Sequence, residues 1–228
     1  MNNGRFQRLA AVLQRRQPDL TVVMDNVHKP HNLAAIARTC DAVGILTAHA
    51  VAKNSSIRLT QKAASGCSKW VAVHAHYSII DAYNHLRSQN FQILATHFDE
   101  RSVDFRDIDY TRPTAIVVGA ELDGISPAAV AHSDRTIIIP MAGLVQSLNV
   151  SVATALILFE AQRQRQAAGF YDIPRLPENT YNRLLFEWYH PKIASYCQRR
   201  GLPYPAINEN GDLMESLADR PLSTTGAS

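Results

Sequence analysis

The chain has 228 residues, 46% of them hydrophobic and 19% charged, with a net charge of +3. That length holds one sizeable core with appended helices, and the balance is that of an ordinary globular protein. No apolar run reaches the ~20 residues of a membrane-spanning helix, which excludes a helical membrane protein.

The first residues, Met1-Asn2-Asn3-Gly4-Arg5, lack the apolar stretch of a signal peptide. Phe6, Leu9, Ala10 and Leu13 recur at i, i+3, i+4 and i+7 and predict an amphipathic helix ending near Pro18. Residues 20–24 form a short apolar strand, and the polar stretch 25–32 is a loop. Asn32 is placed to cap the next helix, 33–43, which Gly44 stops. Further strands are expected at 46–51, 71–75, 91–96, 114–119 and 136–139, and helices at 78–87, 127–132 and 149–166. This alternation predicts an α/β fold with a mainly parallel, doubly wound sheet. Ala115-Ile116-Val117-Val118 and Ile137-Ile138-Ile139 read as the unbroken apolar runs of buried parallel strands.

After Gly169 the character changes. Pro174, Pro177, Pro191, Pro203 and Pro205 punctuate one or two short helices. The expected organisation is an N-terminal helical extension (1–19), a core (20–168), a helical extension packed on that core (169–207) and a flexible tail (208–228), whose end Ser223-Thr224-Thr225-Gly226-Ala227-Ser228 is small and polar. Cys40, Cys67 and Cys197 are far apart and without metal-ligand spacing, so a reduced, cytoplasmic setting is expected.

Charge is unevenly spread. Arg5, Arg8, Arg15 and Arg16 face only Asp19 in the first twenty residues. Arg163, Arg165, Arg175, Arg183, Lys192, Arg199 and Arg200 outweigh Asp172, Glu178 and Glu187 near the other end. Either patch alone reads equally well as a solvated helix face. Two Arg-rich patches together point to phosphate and hence to nucleic acid.

Ligands in open α/β sheets bind outside the carboxyl ends of the strands. Three segments lie there. One is the loop 28–32 leading to Arg38. A second is Gly119-Ala120-Glu121-Leu122-Asp123-Gly124-Ile125, whose glycines allow close backbone approach but also fit a plain tight turn. The third runs from Ile139-Pro140-Met141 through a glycine-containing loop to Ser147-Leu148-Asn149-Val150-Ser151. Ser147 and Asn149 open a long helix, where backbone donors suit an anion and the side chains equally suit a cap. No dinucleotide fingerprint, phosphate-loop lysine or nucleophile elbow is present. His74 and His76 share one face of a strand and His28 and His31 flank a Lys-Pro pair, but no third ligand stands at a recognisable spacing, so no metal site is expected.

Taken together, Asn32 through Arg38 with Thr39, the run Gly119-x-Glu121-x-x-Gly124-Ile125, and Ile139-Pro140-Met141 with Ser147 to Ser151 resemble the motifs of the SpoU branch of the SPOUT methyltransferases. The likeness extends through Ile93-Leu94-Ala95-Thr96-His97, Ala161-Gln162-Arg163 and Gly201-Leu202-Pro203-Tyr204-Pro205, over about residues 5–207. The resemblance implies a C-terminal trefoil knot, although chains in general do not knot. It implies S-adenosyl-L-methionine held by Thr96, Gly119, Glu121, Ile139, Met141, Ser147, Leu148 and Asn149, and a homodimer with a shared active site. It also implies 2′-O-methylation of a guanosine in tRNA, guanosine-18 of the D-loop, because both terminal extensions look like those of members acting there. Arg38 from the partner subunit would contact the RNA phosphate and the 2′-hydroxyl. A guanidinium is almost never neutral in a protein, so stabilising a developing alkoxide is a physically easier role than proton removal. Asn32 would position loop and product, and Glu121 would hold the knot loops. Arg8, Arg15, Arg16, His31, Arg163 and Arg165 are the expected RNA contacts. The rival readings are the same chemistry on ribosomal RNA, a non-catalytic RNA-binding module, and an unrelated nucleotide enzyme that the missing phosphate motifs disfavour.

Overall fold

A computed structural model describes residues 3–51, 69–120 and 123–214. Cys67, Glu121, Leu122 and the end of the tail lie outside them. The chain divides into two compact units, one of residues 17–172 and one joining the residues before 17 to those after 172.

Among the described residues, the larger unit is built on seven strands. They are β1 (Leu20–Asp25), β2 (Thr47–Val51), β3 (Ala72–His76), β4 (Gln92–Thr96), β5 (Val103–Asp104), β6 (Thr114–Gly119) and β7 (Arg135–Ile138). Their order in the sheet is β3-β2-β1-β6-β4-β7-β5, and every pairing is parallel. The chain walks outward from β1 through β2 to β3, then resumes on the other side of β1. The direction of winding therefore reverses between β1 and β6, which is where this class of sheet opens a crevice at its carboxyl edge.

Side chains alternate between the two faces, and both faces are apolar. Leu20, Val22, Met24, Leu94, Ile116 and Val118 join one core. Val23, Ile93, Ala95, Ala115 and Val117 join the other. Helices α2 (Pro30–Ala42) and α5 (Val150–Ala167) pack on each other and supply the first core, while α3 (Ile79–Arg87) and α4 (Pro127–His132) supply the second. This is the doubly wound α/β sheet that the strand–helix alternation predicts. The strand 114–119 and the helix 127–132 fall where expected, and most other boundaries shift by a residue.

Two local expectations are corrected. Helix α2 begins at Pro30 rather than Leu33, with Lys29 before it and no side-chain cap. Proline fits the first helical position because its ring presets φ and its missing N–H has no partner there anyway. Asn32 therefore lies inside the first turn and its side chain turns inward, only 1% exposed. The second correction is β5, a two-residue edge strand too short to leave a hydrophobic pattern.

The smaller unit pairs α1 (Asn3–Gln14) with α6 (Glu178–Tyr189), followed by α7 (Pro191–Arg200). Phe6, Leu9 and Leu13 form the buried stripe of α1, and the Phe6 ring meets Tyr189 edge-on at 5.1 Å. Gly211 (φ +82°) closes against the same rings, and a Cβ there would lie 2.5 Å from Phe6. Among the described residues, no helix is long and apolar enough to cross a membrane.

Candidate active site

Three loops converge at the carboxyl edge around the β1/β6 switch. The parallel register places Asp25, the last residue of β1, beside Gly119, the last of β6. Asp25 is 1% exposed. One of its carboxylate oxygens accepts from the Ser126 backbone N–H at 2.7 Å and the other from the Asn26 side chain at 2.8 Å. Asp25, which the motifs do not single out, thus anchors the loop after β6 to the strand before α2. Its signal in the sequence was a carboxylate ending an otherwise apolar strand.

The loop after β6 turns back on itself: the Gly124 N–H donates to the Ala120 carbonyl at 2.8 Å. A Cβ on Gly119 would stand 2.1 Å from the backbone carbon and oxygen of Gly124 and 2.3 Å from the nitrogen of Ile125. Gly124 itself has φ +64°. The glycines are therefore required by close backbone approach and by a left-handed turn. Replacing Gly119 by Ala is expected to cost about 1–3 kcal/mol through backbone displacement and to weaken cofactor binding in a calorimetric titration. Unchanged affinity would mean that this loop does not shape the cofactor site.

From β4, the Thr96 hydroxyl donates to the Val117 carbonyl at 2.9 Å and ties β4 to β6 at the same edge. After β7, Ile139, Met141 and Leu148 are half-buried, whereas residues 142–147, including Ser147, are exposed. This segment offers both apolar surface and unencumbered main chain next to a helix N-terminus. Asn149 caps α5: its side-chain oxygen accepts from the Ser151 N–H at 2.9 Å. Its amide nitrogen donates to the side-chain oxygen of Asn32 at 3.3 Å. Asn149 is thus a helix cap, and its bond to Asn32 joins the first turn of α2 to the first turn of α5. Arg38 and His31 are exposed on α2.

The expected RNA contacts separate by burial. Arg8, Arg15 and Arg163 are exposed, and Arg163 pairs with Glu160 at 2.7 Å. Arg16 is 0% exposed, with its guanidinium over the Trp188 ring at 5.2 Å. Arg165 is also 0% exposed and is bound to Asp19 at 2.6 Å. These two are corrected from RNA contacts to structural residues, because a side chain sealed in the fold cannot reach a phosphate.

Comparison with known proteins accords with this geometry. The model of the SpoU rRNA methylase family matches residues 19–159, and that of the SpoU rRNA methylase C-terminal region matches residues 163–216. The chain is 55% identical over 221 residues to the tRNA (guanosine(18)-2′-O)-methyltransferase of Escherichia coli, covering 96% of each. The crystal structure of the Aquifex aeolicus TrmH/SpoU tRNA modifying enzyme superposes with a TM-score of 0.76 at 43% identity, over 83% of this chain and 97% of that one. The SpoU methyltransferase AviRb of Streptomyces viridochromogenes, solved with the cofactor AdoMet, gives a TM-score of 0.59 at 28% identity, over 66% of this chain and 60% of that one. The chain belongs to the SpoU methylase family of the SPOUT superfamily.

Proposed function

We propose that this protein transfers a methyl group from S-adenosylmethionine to the ribose 2′-hydroxyl of guanosine-18 in tRNA. The observation that carries the reading is the Asn32–Asn149 hydrogen bond, which locks the helix bearing Arg38 to the loop expected to hold the cofactor. The identity of 55% to a tRNA guanosine-18 enzyme along nearly the whole chain supports the substrate.

The loops fit the cofactor. Gly119 lets the backbone of Gly124 and Ile125 close against the end of β6, the exposed main chain of 142–147 offers peptide donors and acceptors, and Ile139, Met141 and Leu148 offer apolar surface. Thr96, Ser147 and Asn149 complete the set, with Glu121 from outside the described residues. S-adenosylmethionine, when bound, supplies an electrophilic methyl group. The protein's part is to orient the ribose oxygen, exclude alternative geometries and stabilise the charge that develops as the hydroxyl proton leaves. Arg38 performs that stabilisation, and Asn32 positions the two helices. The loops after β6 and β7 are read as the trefoil knot.

A homodimer with a shared site belongs to the same proposal. Val152, Leu156 and Phe159 recur at i, i+4 and i+7 along α5 and are 48%, 43% and 51% exposed. Such a stripe on a helix neighbouring α2 calls for a partner surface. Substituting Phe159→Glu together with Leu156→Glu is expected to halve the mass measured by light scattering and to abolish activity. A dimer that survives both changes places the interface elsewhere.

Residues 20–168 then carry the reaction, and the extensions 1–19 and 169–207 add tRNA-binding surface through Arg8 and Arg15, with His31 and Arg163 on the catalytic unit. The reaction is cytoplasmic in this reading, in keeping with the buried free thiols Cys40 and Cys197. The deciding experiment incubates the protein with methyl-labelled S-adenosylmethionine and unmodified tRNA transcript and identifies the labelled nucleoside. Label in 2′-O-methylguanosine from the D-loop supports the reading. Label only in ribosomal RNA, or cofactor binding without transfer to any RNA, replaces it with one of the rival readings.

A further inference from the structure

Four imidazoles gather at the opposite end of the strand order from the loops after β4 and β7. Parallel register sets His49 of β2 beside His74 of β3. The two-residue period of a strand puts His76 on the same face as His74. Helix α3 packs over β2 and β3 and brings His85 to that face. All six pairs of ring centroids are separated by 4.7–5.7 Å. One ligand atom from each of His49, His74 and His76 lies within 4.8 Å of the other two, and His49 Nδ1 is 2.9 Å from His76 Nε2.

The spacing has a specific chemical meaning. Around a tetrahedral ion with nitrogens at about 2.0–2.1 Å, imidazole centroids stand roughly 5 Å apart. His49 and His76 are buried and hydrogen-bonded to each other, a bond that the ion would replace. We propose that His49, His74 and His76 bind a divalent d-block cation, Zn²⁺ or a close relative, with solvent in the fourth position. Imidazole nitrogen suits these ions, whereas magnesium and calcium require oxygen.

His74 is exposed, which gives the ion a way in, while His49 and His76 are buried beneath it. The bound ion would clamp the strand β3 to β2, so its role is structural and separate from methyl transfer.

The test uses the full-length chain without a polyhistidine tag, stripped with a chelator and then titrated with Zn²⁺ by calorimetry and with Co²⁺ by visible absorption. One ion per chain is expected, with the intense d–d bands of four-coordinate Co²⁺. The His74→Ala variant alters an exposed position and keeps the fold, as circular dichroism will check. It should bind at least ~10–100-fold more weakly, the scale for losing even an outer-shell contact. Absence of binding by the wild-type chain overturns the proposal. So does stoichiometric binding that His74→Ala leaves intact, because the ion then sits elsewhere.

Discussion

Arg38→Ala is expected to lower kcat for methyl transfer by about 10²–10³-fold, the scale for removing one preorganised donor from a developing negative charge, while S-adenosylmethionine still binds. The separation follows from where the residue sits. Arg38 is exposed on α2, on a helix pinned at its first turn by the Asn32–Asn149 bond, whereas the loops proposed to hold the cofactor follow β4, β6 and β7. Arg38→Lys keeps the charge but loses the planar fork, so it should recover only part of the rate. The loss should appear in kcat at saturating tRNA; a change confined to KM would make Arg38 a phosphate contact and nothing more. The dimer proposal adds a sharper readout. Mixing Arg38→Ala chains with Gly119→Ala chains should restore activity in hybrid dimers if Arg38 serves the site across the interface. No recovery in a verified hybrid would place Arg38 and the cofactor loop of one subunit in the same site.

How much of this was legible beforehand depends on whether the information was local. The strand 114–119 was read correctly because a buried parallel strand must be apolar on both faces, and Ile116 and Val117 indeed enter different cores. Strand order was not legible, since nothing near β4 says that β6 will separate it from β1. Asn32 precedes an apolar run and so has the look of a cap, yet Pro30 at the first helical position starts the helix before it. The histidine cluster was invisible for a different reason. His74 and His76 announce themselves by spacing, but His49 arrives through cross-strand register and His85 through helix packing. Of the site itself, the glycines and Asn149 were legible as motif positions. Asp25, which fastens two of the loops, was passed over because a lone carboxylate at a strand end has many uses.

Arg165→Met is expected to destabilise the protein by about 3–5 kcal/mol, the usual cost of breaking a buried ion pair from one side. Five acceptors surround its guanidinium: the Tyr110 carbonyl at 2.8 Å, the Gln17 side chain at 3.2 Å, the Asp19 carboxylate at 2.6 Å, and the Asp19 and Arg112 carbonyls at 3.0 Å each. An arginine has five N–H donors, so the match is complete and joins the end of α5 to the entry of β1 and to the segment before β6. Methionine fills similar volume but strands those acceptors, each with its own desolvation cost. The helical period gave a clue that charge counting overlooked: Leu158, Ala161 and Arg165 share the buried face of α5, whereas Arg163 points to solvent. The contrast makes the test internal. Arg163→Ala removes a partner of Glu160 from a side chain that is 68% exposed and should cost less than about 1 kcal/mol, while weakening tRNA binding and reducing its salt dependence. Arg165→Met should lower the melting temperature of the RNA-free protein by roughly 6–20 °C. If Arg165→Met instead melts like wild type and loses only tRNA affinity, the residue reaches RNA after all, and the buried arrangement is not the one that functions.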